Sequence, residues 1–169
     1  MMKYWGDFVN IKRFIVFFII PIVIILLLVL NAQLAAQKYK NTGMDMVQYR
    51  AEITSGIKEL TVYPGEEKLI SVRIKNSGTM VWMSEGKNPI VLSYHILSSG
   101  GEVFLYDGER TLLPGGLRSG ESVTVKAKVV SPEKLGEYYL EFDMVHEGVT
   151  WFANKGSRTL KIKLKVVEK

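Results

Sequence analysis

Two kinds of hydrophobic pattern divide the chain. From Phe14 to Leu30 it reads FIVFFIIPIVIILLLVL, without a charged or polar side chain, and Asn31-Ala-Gln-Leu-Ala-Ala36 carries the stretch on to residue 36. As a helix the uninterrupted part covers roughly 25 Å of a hydrocarbon core about 30 Å thick, and the longer stretch is enough to span it. Pro21 removes one backbone donor and is expected to kink this helix, which a membrane span tolerates better than an isolated soluble helix does. After residue 53 the pattern changes to period two. Ile70, Val72 and Ile74 alternate with Ser71, Arg73 and Lys75, and Val123, Val125, Ala127 and Val129 alternate with Thr124, Lys126 and Lys128. Leu160, Ile162, Leu164 and Val166 alternate in the same way with Lys161, Lys163 and Lys165. Each run predicts a strand with one dry face and one wet face.

Turn signals separate these runs, among them Pro64-Gly65, Asn76-Ser-Gly78, Gly100-Gly101, Asp107-Gly108, Pro114-Gly-Gly116 and Asn154-Lys-Gly156. The spacing predicts strands over 57–63, 68–76, 80–83, 90–97, 102–107, 122–130, 137–145, 149–153 and 158–167. No stretch after residue 53 keeps a helical period over ten residues. The expected fold class is an all-β immunoglobulin-like sandwich preceded by a single N-terminal transmembrane helix. The expected division is a short cytoplasmic segment over 1–13, the transmembrane helix over 14–36, a stretch over 37–52, and the extracytoplasmic sandwich over 53–169. Residues 37–52, QKYKNTGMDMVQYRAE, hold no sustained period and fit either a linker or a continuation of the helix.

Charge adds a direction to this plan. Lys12 and Arg13 abut the apolar run, whereas Lys38 and Lys40 stand several residues beyond its other end, which leans toward a cytoplasmic N-terminus. Tyr4, Trp5 and Phe8 read as interfacial aromatics or as a short amphipathic lead-in on that side. Leu34-Ala35-Ala36 resembles a signal-peptidase site, but the apolar run exceeds a signal peptide's 7–15-residue apolar core, so an uncleaved anchor is expected. The net charge of +5 divides as +3 over 1–52, with six Lys+Arg against three Asp+Glu, and +2 over 53–169, with sixteen against fourteen. The larger part is nearly balanced, which argues against a nucleic-acid-binding domain. With no Cys, the chain holds no disulfide framework, thiolate nucleophile or Cys-ligated metal site.

Five blocks carry a resemblance: N-S-G-T-M-V-W at 76–82, P-I-V-L-S-Y-H at 89–95, D-G-E-R-T-L-L-P at 107–114, G-E-S-V at 120–123, and G-E-Y-Y-L-E-F-D-M-V-H-E-G-V-T-W-F at 136–152. Together they resemble immunoglobulin-like β-sandwich modules of bacterial envelope proteins, including modules appended to surface-polysaccharide biosynthesis enzymes. The opening block also looks like that of four-tryptophan immunoglobulin-like domains. The resemblance implies an accessory or binding module and no particular reaction. Where those enzymes carry a catalytic domain, this sequence carries an apolar anchor.

Most residues in these blocks have structural roles available. Asn76 and Gly78 are expected to make the turn after a strand, with Gly supplying a positive φ, and Trp82 to plug one end of the core. Asp107-Gly108 suits a tight turn, with Arg110 paired to Asp107 or Glu109. Trp151 and Phe152 are adjacent on a strand, so one ring enters the core while the other stays near the surface. The outer ring, with Glu147, Tyr94 and Asp143, forms the candidate binding surface: a sugar needs an apolar platform and oriented carboxylates together. The Lys row at 161, 163 and 165 reads as a solvated strand face, partly neutralised by acidic neighbours, before it reads as an anion stripe.

Catalysis is not expected. If strand 90–97 runs antiparallel to 137–145, His146 lies near Pro89 and Ile90, and His95 is then more than about 15 Å away, too far to share a metal. The sequence contains no G-x-S-x-G, P-loop or G-x-G-x-x-G motif, and no cofactor is expected. The expected function is a non-catalytic, membrane-anchored accessory or binding module of the cell envelope, whose partner is an integral-membrane protein complex or a surface glycan. The alternative is a structural subunit of a surface filament or pseudopilus. Against it, no Gly or Ala stands at the processing position before Phe14 and no acidic residue lies near the start of the apolar run.

Overall fold

The computed structural model describes residues 15–169, with side chains described for 16–40 and 48–169. The segment 1–13, with Tyr4, Trp5, Phe8 and the Lys12-Arg13 pair, and the start of the apolar run at Phe14 lie outside the described residues. The chain forms two compact units, Met1–Gly43 and Met44–Lys169. In the first, a short π-helical stretch at Ile15–Ile19 leads into helix α1, Ile20–Gln48. Val16–Lys40 has mean hydropathy 2.7 and is long and apolar enough to cross a membrane. The π-helical stretch ends just before Pro21, whose missing N–H and bulky ring disturb the regular ladder on its N-terminal side.

The second unit is built from nine strands: β1 (Ala51–Thr54), β2 (Glu59–Val62), β3 (Glu67–Asn76), β4 (Ile90–Ser98), β5 (Val103–Leu105), β6 (Ser122–Val130), β7 (Gly136–His146), β8 (Thr150–Trp151) and β9 (Leu160–Val166). One sheet has the order β1-β3-β6 and the other β2-β9-β7-β4-β5, with β8 paired to β7. All pairs are antiparallel except β2 with β9. The split of consecutive strands between the two sheets is the immunoglobulin-type arrangement. Ile70, Val72, Ile74, Val125, Ala127 and Val129 from the first sheet join Leu92, Tyr94, Leu140, Phe142, Ile162 and Leu164 from the second in one buried cluster. These are the apolar positions of the period-two pattern, whose partners face water.

The boundaries differ from the sequence reading at two places. Helix α1 continues to Gln48, one of the two forms left open for residues 37–52, whereas β1 begins at Ala51, ahead of the sandwich boundary expected at residue 53. Ala51 and Ile53 are buried against β3 while Glu52 and Thr54 are exposed, an alternation of four residues and too short to stand out in the sequence. The strand expected over 80–83 reduces to a single pair, Trp82 with Leu117, joined by two backbone hydrogen bonds of 2.9 Å. Asn76 explains this: its side-chain amide donates to the carbonyls of Met80 (2.8 Å) and Leu117 (2.9 Å), fixing the chain as a loop on both sides of Trp82.

Candidate functional site

The site lies on the outer face of the larger sheet. Tyr94 faces inward on β4, so Ser93 and His95 face outward, opposite Asp143 and Glu141 of β7. An outer face of this kind is normally wet, yet Ser93, His95 and Asp143 are all buried. The cover comes from two segments. After β5 the chain runs on beside β4: Gly108 donates to the Tyr94 carbonyl (2.9 Å), and Thr111 and Leu92 exchange a pair of backbone hydrogen bonds. On the other side, β8 folds back on β7 with Trp151 opposite Val145, which turns the indole onto the outer face.

Trp151 is half-buried and held by its neighbours. The His95 ring centroid is 4.3 Å from that of the indole, Tyr106 meets it edge-on at 5.7 Å, and the Arg110 guanidinium carbon lies 5.3 Å from its centre. His95 Nδ1 is hydrogen-bonded to the Tyr106 carbonyl, which locks the aromatic group further. Arg110 donates to Asp107 (2.5 Å), Glu147 (2.5 Å), Ser93 Oγ (3.1 Å) and the Gly108 carbonyl (2.8 Å). Burial works against the guanidinium charge, but the hydrogen bonds to Glu147 and Asp107 outweigh it and raise the pKa, so Arg110 is always cationic. Around this group opens a concavity of about 310 Å³ whose lining includes Asp107, Arg110, His146, Glu147, Trp151 and Asn154. It combines one fixed aromatic ring with charged and amide groups.

The residues expected to form the binding surface divide. Trp151 and Glu147 meet at this concavity, with Asp107 and Arg110. Phe152, Tyr94 and Asp143 do not reach it, and each has a structural task instead. Phe152 is fully buried, edge-on to both Trp82 (5.3 Å) and Tyr49 (5.1 Å). The Tyr94 ring lies in the core, where its hydroxyl accepts the Val130 N–H (3.1 Å) and ties β4 to the end of β6. Asp143 accepts the N–H groups of Met144 (2.8 Å) and Ala153 (3.0 Å), which fastens the turn after β8 to β7. Burial pushes its pKa up to about 7 against the pull of those two donors. It is sealed from solvent and does not line the concavity.

The structural motif residues also take particular forms. Trp82 is fully buried at the end of the core reached by α1. Asn76 accepts the Gly78 N–H at 3.0 Å in the expected turn, but Gly78 does not have the expected positive φ; what calls for glycine there, and at Gly108, is close approach. A Cβ on Gly78 would lie 2.2 Å from the Gln48 carbonyl oxygen, and one on Gly108 would lie 2.5 Å from the Tyr94 carbonyl oxygen. Arg110 takes Glu147, distant in sequence, together with Asp107, while Glu109 pairs with Lys128 (3.5 Å). Ile90 pairs with His146 and His95 with Glu141, so the two histidines stand at separate levels of the sheet. Among the described residues no group of three or more His, Asp or Glu is placed to hold a metal. Lys161 faces Glu141 (3.5 Å), and Lys165 lies opposite Glu137, so the lysine row is partly neutralised.

Sequence reasoning missed His95 and Tyr106 as the partners that hold Trp151. The available signal was the run Ile90–Leu97, which is buried at every position and has little polar alternation, as expected of a strand covered on both faces.

No protein-family profile matches the sequence, and no curated protein matches it. Solved structures show distant likeness. The CARDB domain of a Pyrococcus furiosus protein, solved by NMR, is 16% identical with a TM-score of 0.42, covering 71% of this chain and 94% of that one. A human PapD-like domain is 20% identical with a TM-score of 0.32, covering 72% and 88%. The fibronectin(III)-like modules of Clostridium thermocellum CbhA are 14% identical with a TM-score of 0.33, covering 70% and 97%. The strand order, and not these low scores, identifies the immunoglobulin-type plan.

Proposed function

We propose that this chain is a single-pass membrane protein of the cell envelope, with a cytoplasmic N-terminus, that presents its sandwich outside the cytoplasm as a non-catalytic binding module. Its ligand is a polyhydroxylated surface molecule, a glycan, taken into the concavity beside Trp151. The observation that carries this reading is the preorganised pairing of the half-buried Trp151 with Arg110, Glu147 and Asp107. A ring already immobilised by His95 and Tyr106 loses little entropy when a ligand docks, and the carboxylates and guanidinium are oriented to exchange hydrogen bonds with hydroxyls. The apolar Val16–Lys40 helix supports the anchor, and tethering raises the effective concentration at the surface so that weak binding suffices.

The test is retention of the detergent-solubilised chain on immobilised envelope polysaccharide. Trp151→Ala is expected to lower retention at least tenfold, with Trp151→Phe between the two. Unchanged retention by Trp151→Ala overturns the reading. One observation favours a second partner class. Val103 and Phe104 on β5, the open edge of the larger sheet, are 58% and 51% exposed, and Tyr106 just after it is 53% exposed, a surface suited to a protein partner in the same membrane. A stoichiometric membrane protein recovered in a pull-down, and lost with Phe104→Asp, would select it.

A further inference from the structure

The end of the sandwich where the chain enters from α1 carries apolar loop tips. Val81 and Met83 are 49% and 60% exposed in the loop between β3 and β4, and Val149 is 55% exposed in the turn between β7 and β8. They belong to one surface, on which Val149 also borders the concavity beside Trp151. The Met83 carbonyl accepts the Ile90 N–H, the Pro89 carbonyl accepts the Glu147 N–H, and the Asn88 side chain donates to the Glu147 carbonyl at 2.6 Å. The same end receives the chain from α1: Ser77 donates to the Arg50 carbonyl, and the Gln48 side chain donates to Met80 Sδ at 3.4 Å. These tips are held, not loose. Asn76 fixes Met80 and Leu117 on either side of Trp82, which leaves Val81 and Met83 pointing away from the core on a rigid base.

We infer that this end is a lipid-facing surface, with Val81, Met83 and Val149 seated in the headgroup–acyl boundary of the bilayer that α1 crosses, so the glycan of the proposed function would be met at the membrane surface. The occupant follows from the chain. Seven residues lie between Lys40, the last residue of the candidate span, and Gln48. The eight Cα–Cα steps from Lys40 to Gln48 reach about 12 Å as a helix and no more than about 27 Å fully extended, so the point where the chain enters the sandwich stays within that distance of the end of the span. Within that reach the bilayer interface is an apolar surface that would take exposed aliphatic side chains out of water. The exposed Lys87 and Arg50 at this end are able to reach headgroup phosphates, as long basic side chains do.

The inference rests on reading α1 as a span, and one experiment separates the two. The chain has no cysteine, so single-cysteine variants take one environment-sensitive fluorophore each without background. Leu27→Cys, Met83→Cys, Val149→Cys and Ser99→Cys are prepared in the full-length chain and reconstituted in phosphatidylcholine–phosphatidylglycerol vesicles with or without a nitroxide-bearing lipid. Ser99 is exposed beyond the other end of β4. Quenching by the nitroxide at 83 and 149 is expected to exceed that at 99 at least threefold, with 27 strongly quenched. Quenching at 27 with no difference between 83, 149 and 99 overturns the inference and leaves the span standing. Absence of quenching at 27 overturns both. A blue-shifted label at 83 or 149 that the nitroxide does not reach means a protein covers the tips, which also overturns it.

Discussion

Asn76→Asp tests how the loops beside the site are held. Asn76 is fully buried; its amide donates to two carbonyls, of Met80 and Leu117, and its oxygen accepts the Gly78 N–H at 3.0 Å. The substitution keeps the shape and turns a two-donor group into an oxygen facing two carbonyl oxygens. A protonated carboxyl donates to only one of them, and because the Leu117 carbonyl still accepts the Trp82 N–H, the lost hydrogen bond costs roughly 0.5–1.5 kcal/mol. Keeping that carboxyl protonated in the folded state at pH 7, when it ionises near 3.9 in the unfolded chain, costs up to about 4 kcal/mol more. The folded pKa is thus raised, so the second cost is absent below about pH 4 and grows as pH rises. For a unit of 126 residues the unfolding entropy is about 0.26 kcal/mol/K, and a 2 kcal/mol loss lowers Tm by about 8 °C. The assay is thermal unfolding of the full-length chain in detergent by near-ultraviolet circular dichroism between pH 4 and 7.5, each value taken against wild type. Asn76→Ala, which loses all three side-chain hydrogen bonds but adds no titrating group, supplies the pH-independent reference. A deficit below about 1 kcal/mol at pH 7, or one equal at both ends of the pH range, would show that Asn76 does not pin these loops.

Two further outcomes are expected. Asp143 holds its proton to about pH 7 in the folded chain, so between about pH 4 and 7 the folded state binds a proton that the unfolded state does not. Stability should fall as pH rises through that window, and Asp143→Asn should remove this component; identical pH slopes for the two proteins in thermal unfolding would refute it. Gly78→Ala places a methyl group 2.2 Å from the Gln48 carbonyl oxygen and 3.1 Å from the Arg50 nitrogen, forcing residues 48–50 away from the sandwich. The expected cost is about 1–3 kcal/mol, with faster amide exchange at Ser77, whose N–H bonds the Arg50 carbonyl, and unchanged exchange at Ser77 would contradict the close-approach role.

The residues that share a face were legible in the sequence because alternation along a strand is local. Ile70, Val72 and Ile74 on β3, and Ile162, Leu164 and Val166 on β9, announce an inner face through their own spacing, and the unbroken apolar run from Phe14 to Leu30 announces a helix suited to lipid. Alternation also required Trp151 and Phe152 to part. Which ring goes inward was decided by the pairing of Trp151 with Val145, a register fixed by the tight turn between β7 and β8. Strand β1 escaped notice because four residues carry too little period, and it exists through its ladder with β3. The outer face of β4 is dry because a segment more than ten residues downstream and a strand more than fifty residues downstream both fold over it. Arg110 found Glu147 in preference to its neighbour Glu109 for the same reason. Spacing along the chain fixes the direction of a side chain relative to its own strand; whether that direction meets water, a ring or a carboxylate depends on non-local pairing, which only the folded sandwich supplies.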